Sequence, residues 1–352
     1  MMKKILKRYF IDAMGAMAQG LFASLLIGTI FTALGMIPKL EFLSEIGVYA
    51  QKMAGPTMAA AIAYSLKAHP LVIFSSAAVG QAANTLGGAG GPLAVFFIAI
   101  AAAEIGMLVS KKTKVDIIVT PFITILIGCG LSMLAAPYIG EGVGYISDFI
   151  SWASLQAPFE SSLIISVVIG VVLTLPISSA AICAGLCLTG SAVTGGNEGL
   201  AIAGAAAVAG CCAQMVGFAI ISFRENKWGG LLSQGIGTSM LQMPNIIRHP
   251  QIWIAPTVAS AITGPLAVCV FGIRMYGAAI NSGMGTCGLL GPIGMVLGWF
   301  DKTNGYTADV TVLNWVGLAL ICFILPALLS FLINEILRKI GLVKDGYMKL
   351  ED

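Results

Sequence analysis

Glu104 is the only charge in the apolar run from Phe96 to Val109, and Arg274 is the only one between Leu266 and Ser282. An ionised side chain in such surroundings is costly unless it is paired or faces water, so each marks a place where a polar partner is expected. A carboxylate and a guanidinium at comparable levels on facing helices can form a buried pair, clamp sugar hydroxyls or an anion, or couple to a cation. Snorkelling to the headgroups is the plainer alternative. Nearby amides add donors and acceptors suited to hydroxyls: Gln81 and Asn84 in the first half, Gln214, Gln234, Gln242 and Asn281 in the second. Gln214 fits a helix–helix bond better.

Bare backbone supplies the rest. Gly87-Gly-Ala-Gly-Gly-Pro92 resists ordinary helix, so the amides and carbonyls at Gly90 and Gly91 are open to line a pocket or to form a tight turn. Gly195-Gly-Asn197-Glu198-Gly199 and Asn281-Ser-Gly-Met-Gly285 share that character. The candidate solute-binding set is therefore Glu104, Gln81, Asn84, Gly90, Gly91, Arg274, Asn281, Asn197 and Glu198. No Walker loop, G-x-S-x-G or acidic Mg²⁺ cluster is present, so the chain carries no catalytic motif and calls for no cofactor. Its 8 cysteines form no C-x-x-C pair and it has only 2 histidines, which points to packing and to no metal site.

These residues must be positioned by membrane helices. Charged residues are 10% of the 352 and the hydrophobic class is 58%. Ala13 to Ile37 carries no charge, long enough to cross the ~30 Å hydrocarbon core. The expected fold is an all-α polytopic membrane protein with about ten to twelve membrane segments. The segments read as 13–37, 46–66, 70–86, 93–109, 117–137, 161–183, 199–222, 229–247, 250–264, 266–282, 288–300 and 312–337. Stretches 70–92, 229–247 and 250–265 are the candidates for re-entrant hairpins, tolerated only against protein or a wet cavity.

The chain also repeats itself. Lys67-Ala-His69-Pro70 echoes Arg248-His249-Pro250, Gly55-Pro-Thr57 stands in register with Gly235-Ile-Gly237, and GPLAV occurs at 91–95 and at 264–268. Leu175-Pro-Ile and Leu325-Pro-Ala form a looser echo. The expected division is a first membrane repeat over 1–185 and a second over 186–352. The basic clusters Lys3/Lys4/Lys7/Arg8, Lys111/Lys112/Lys114 and Arg338/Lys339/Lys344 belong in the cytoplasm, together with both termini. The acidic segment 137–160 belongs outside. An even number of crossings per half then makes the repeats parallel, with a mid-membrane site between them. Arg224 and Lys227 fall outside on this count, its one violation. The net charge of +3 is a topology signal and implies no nucleic-acid partner.

The run GGAGGPLAVFFIAIAAAEIGMLVSKKTKVDIIVTP at 87–121 resembles the membrane subunits (enzyme IIC) of the bacterial sugar phosphotransferase system. Within them it is similar to the stand-alone type-2 IIC group, which includes perfringolysin-O regulator-like membrane proteins. The resemblance implies a bacterial inner-membrane permease passing a small polar solute, a carbohydrate, to soluble IIA/IIB partners, and a homodimer in the lipid bilayer. Glu104, inside the matching A-E-I-G, is the residue it carries over first. The chain has no G-I-T-E-P-like stretch and no IIA or IIB domain. The alternatives are an ion-coupled secondary transporter and a solute-sensing membrane regulator.

Overall fold

The computed structural model describes residues 7–35, 40–175, 179–301 and 310–350, and the described chain is helical without strands. Lys3, Lys4 and the Pro176-Ile177 part of the looser echo lie outside the described residues. The chain falls into two compact units, Met1–Ile146 and Ser147–Asp352. Among the described residues six helices are long and apolar enough to cross a bilayer: Met14–Thr32, Gly91–Val109, Asp116–Gln156, Glu198–Ile221, Pro250–Val270 and Val312–Lys339. The protein is an all-α polytopic membrane protein.

The first unit is a set of antiparallel helices held at close range by glycine. Helix α1 (Met14–Thr32) runs against α2 (Phe42–Lys52) and α3 (Ala54–Ser65), with Gly20 on Thr57 and Met58 and Gly28 on Gly47 and Gln51. Helix α4 (Pro70–Leu86) returns along α3, crossing it where Gly55 meets Gly80. A three-residue turn, Gly88–Gly90, leads to α5 (Gly91–Val109). Pro70 and Pro92 lie in first turns, where their missing N–H costs nothing. His69 takes the extended backbone (φ −64, ψ 147) that a residue before proline prefers.

Helix α6 (Asp116–Gln156) overturns one expectation. The acidic segment 137–160 reads from the sequence as an outer loop, yet α6 is one helix of 41 residues with Pro121 and Pro137 inside it. At 1.5 Å per residue it is about 60 Å long, roughly twice the hydrocarbon thickness. Pro137 removes one backbone bond, but the helix runs on through it and through Gly140, Gly142 and Gly144. Its outer face presents Phe122, Leu126, Met133, Tyr138, Tyr145 and Trp152.

The second unit is built around α9 (Glu198–Ile221), buried almost from end to end. Its Ala/Gly-rich surface lets neighbours approach closely, the usual means of helix association in membranes. Helix α7 (Pro158–Thr174) lies parallel to it: Ser166 abuts Gly210, and the Thr174 hydroxyl donates to Gln214 Oε1 at 3.3 Å. Helix α12 (Pro250–Val270) is antiparallel, and Gln214 ties it in through Trp253, Thr257 and Ser260 at 2.9, 3.3 and 3.4 Å. Stretch 250–265, expected to be re-entrant, is thus part of a span-length helix. A methyl group on Gly210 would run into the Ser166 backbone carbonyl. Gly210→Ala is expected to destabilise the protein by about 1–3 kcal/mol through overpacking, measured as a lowered thermal midpoint in detergent.

The chain returns from the end of α7 to the start of α9 without a full helix. It uses α8 (Ser179–Gly185) and irregular backbone over 186–197, covering the roughly 24 Å of axial height between the levels of Gln214 and Glu198. That uncounted return corrects the topology. Helix α10 (Phe223–Leu232) follows α9, and α15 (Val312–Lys339) runs parallel to α9. Arg224 pairs with Glu335 at 2.8 Å and Arg338 with Glu225 at 2.8 Å. The 224–227 segment therefore lies at the same end as the basic cluster 338–344, not opposite it.

Segment 229–247 is broken into a π turn at Ser233–Gly237, a 3-10 turn at Ser239–Gln242 and the short helix α11 (Met243–Arg248). Both His-Pro dipeptides begin helical segments, α4 and the Pro250 turn of α12. The two GPLAV copies differ in setting, since the first opens α5 and the second lies within α12.

Candidate functional site

Sequence reading places 266–282 in one helix. The structure ends that helix at Val270 and leaves Phe271–Ala278 irregular before a single turn, α13 (Ala279–Ser282). Gly272 adopts φ +59, which stops the helix. The backbone that follows is irregular, and side chains two apart along it come to share a side. Arg274 and Tyr276 accordingly both reach Glu198: Arg274 Nε donates to Oε1 at 2.5 Å and the Tyr276 hydroxyl to Oε2 at 2.9 Å. On a helix the two would point far apart, which is why Tyr276 escapes notice in the sequence.

The backbone of this stretch is equally committed. Met275 N–H donates to Ala201 C=O at 3.0 Å, and Met275 C=O accepts from Gly190 N–H at 2.8 Å. The Thr189 hydroxyl donates to Gly277 C=O at 2.6 Å, and Trp299 Nε1–H to Arg274 C=O at 2.9 Å. Glu198 is set by its own helix start. Asn197 is the N-cap of α9, accepting from Leu200 N–H at 3.1 Å and from the Ser151 hydroxyl at 2.6 Å. Asn197 thus positions Glu198, and its carbonyl oxygen is spoken for. Arg274 and Glu198 keep 25% and 36% of their side-chain surface, so the pair stands half open.

Beyond this irregular stretch, Gly283–Leu289 passes at the mid-height of α9, with Gly285 (φ +52) against Cys211. Non-helical backbone at this depth survives only where protein or a wet cavity surrounds it. Hydroxyls hold it: Ser179 donates to Gly283 C=O at 2.6 Å, Ser282 to Leu188 C=O at 2.6 Å and Thr286 to Gly235 C=O at 2.5 Å. Asn281 sits among them, 2% exposed and close to Gly294, and its Oδ1 has no hydrogen-bond partner. An unmet buried acceptor of this kind is costly unless a guest satisfies it.

The first unit's candidates are used differently. Glu104 Oε1 pairs with Arg8 at 2.6 Å and accepts from the Tyr9 hydroxyl at 2.9 Å. That hydrogen bond holds the Tyr9 phenol above its ordinary pKa. Glu104 and Arg274, which the sequence offers as a possible pair, thus each have a partner within their own unit. Asn84, in the last turns of α4, packs against Gly55 and Gly91, and Gly90 against Gly140 and Val143. Gln81 is exposed and bonds Thr85 at 3.3 Å. These glycines allow close packing of the helices.

Gln234 and Gln242, amides suited to hydroxyls or to bonds between helices, are bonded within the second unit. Gln242 Nε2 donates to Met348 C=O at 2.9 Å and to Gln234 Oε1 at 2.9 Å, and Gln234 donates to Ser222 at 2.8 Å. Asn245 and Asn226 complete the cradle, donating to Lys349 C=O at 2.9 Å and Met348 C=O at 2.7 Å. His249 stacks on Tyr347 at 3.7 Å between ring centroids.

A helical membrane protein whose polar groups gather on broken backbone inside a glycine-packed bundle has the build of a permease. The chain matches the family described as "Phosphotransferase system, EIIC" over residues 11–350, and it belongs to that family. It is a sugar-translocating membrane permease subunit that works with IIA and IIB partners. No curated protein and no solved structure matched the chain.

Proposed function

We propose that the protein carries a neutral carbohydrate across the bacterial inner membrane past the broken segments of the second unit. Glu198, Arg274, Tyr276 and Asn281 would touch or orient it. The observation that carries this reading is the buried, unmatched Oδ1 of Asn281, an acceptor ready for a sugar hydroxyl. Glu198 is already balanced by Arg274, so the cluster has no net charge to reward an ion. Glu104, Gln81, Asn84, Gly90 and Gly91 serve the packing and latching of the first unit on this reading.

Arg224, Lys227, Arg338 and Lys339 gather at one end of the second unit, and the excess of Lys and Arg argues that this end is cytoplasmic. The partner that phosphorylates the sugar would meet the protein there. The family resemblance favours a homodimer. In vesicles holding the full-length protein, phosphoenolpyruvate and the soluble partners should drive accumulation of phosphorylated sugar, unaffected by ionophores. Uptake that stops when the ion gradient collapses, with unmodified sugar inside, would replace this reading by ion-coupled transport.

A further inference from the structure

Helix α15 carries three polar residues on one face at four-residue spacing, Ser330, Asn334 and Arg338. Ser330 is 0% and Asn334 2% exposed, and the Arg338 and Glu225 side chains keep 8% and 7% of their surface. Arg338 Nη2 meets Glu225 Oε1 at 2.8 Å, and its Nη1 reaches Asp345. Yet Ser330 Oγ, Asn334 Oδ1, Arg338 Nε and Glu225 Oε2 are all buried without a hydrogen-bond partner. At the inner end of the row, a methyl on Gly217 of α9 would meet the Ser330 hydroxyl and Pro256 of α12. The row therefore lies where α9, α12 and α15 converge.

Native proteins rarely leave buried polar atoms unmet, and three along one helix face with a fourth on Glu225 at its charged end call for a common guest. Four residues of helix rise about 6 Å, a gap that one or two waters joined by hydrogen bonds of about 2.8–3 Å can bridge. A cation fits poorly, because it needs its oxygens in one shell and these stand at successive levels. We propose that this face of α15 holds a file of ordered waters, leading from the Arg338–Glu225 pair inward to Ser330. The second unit is then hydrated for two helical turns from its charged end, along a seam that the sugar cluster at Glu198 does not share.

The sign of a stability change tests this. In the full-length protein in detergent, Asn334→Leu and Ser330→Ala should each lower the thermal midpoint, because the waters lose a partner. In a dry seam the same changes remove an unmet polar atom and should raise the midpoint or leave it unchanged, which would overturn the proposal. A map of the unaltered protein at a resolution that shows waters gives an answer independent of folding. Peaks within about 3 Å of Asn334 Oδ1 and Ser330 Oγ are expected. Empty space there, or side chains turned to protein partners, would refute it.

Discussion

Arg338→Ala is expected to cost about 3–5 kcal/mol of stability, the range for breaking a buried pair from one side. Glu225, 7% exposed beside Arg338, would lose its main cation, and Gly346 N–H at 3.3 Å is a weak substitute. Asp345, 89% exposed, loses little when Arg338 leaves. The double variant Arg338→Met/Glu225→Met should recover part of the loss, since an apolar pair of similar volume replaces both charges while the waters of the seam lose two partners. Thermal unfolding in detergent of the unaltered protein, Arg338→Met, Glu225→Met and the double variant measures the coupling. A single variant within about 1 kcal/mol of the unaltered protein would show that the pair is solvated.

The second large effect concerns transport. Glu198→Gln keeps the shape and one acceptor oxygen but removes the charge that holds Arg274. A hydrogen bond to a charged group contributes about 1.5–3 kcal/mol, so uptake driven by phosphoenolpyruvate should fall by roughly tenfold to a hundredfold. Arg274→Lys should also lose activity, because a compact ammonium cannot replace the forked guanidinium that also donates to Val268 and Ile273 carbonyls at 3.3 and 3.0 Å. Combining Glu198→Gln with Arg274→Gln should do little further harm, since both changes break one interaction. Protein level and monodispersity, followed alongside uptake, separate misfolding from lost transport. If well-folded Glu198→Gln keeps uptake within about twofold, the pair is structural and the proposed cluster falls.

The sequence reveals helices more readily than it reveals backbone that has ceased to be helical. Long apolar runs and Pro70 and Pro92 at helix starts announce the spans, because burial and proline stereochemistry act locally. Asn197 before Glu198 is readable as polar residues in a glycine-rich break, and its cap bond follows from residue type alone. Arg274 and Tyr276 are not legible as partners. Their shared side exists only once Gly272 turns the chain out of the helix, and apolar composition does not mark where a helix ends. The return through 186–197 escapes for a related reason: no single stretch of it is long enough to register as a span. Gln242 and Asn245 cannot be matched to residues 348 and 349 from sequence, since an amide's partner is a matter of tertiary approach.

The parallel course of α7, α9 and α15 has an electrostatic consequence. Each helix macrodipole puts partial positive charge at its first turn and partial negative charge at its last. Glu160 and Glu198 lie in the first turns of α7 and α9, while Arg338 and Lys339 close α15 and Arg224 follows α9. Antiparallel α12 offsets only part of the sum. The cations on which the proposed orientation rests thus also neutralise the aligned carbonyl ends, and moving them would disturb helix electrostatics as well.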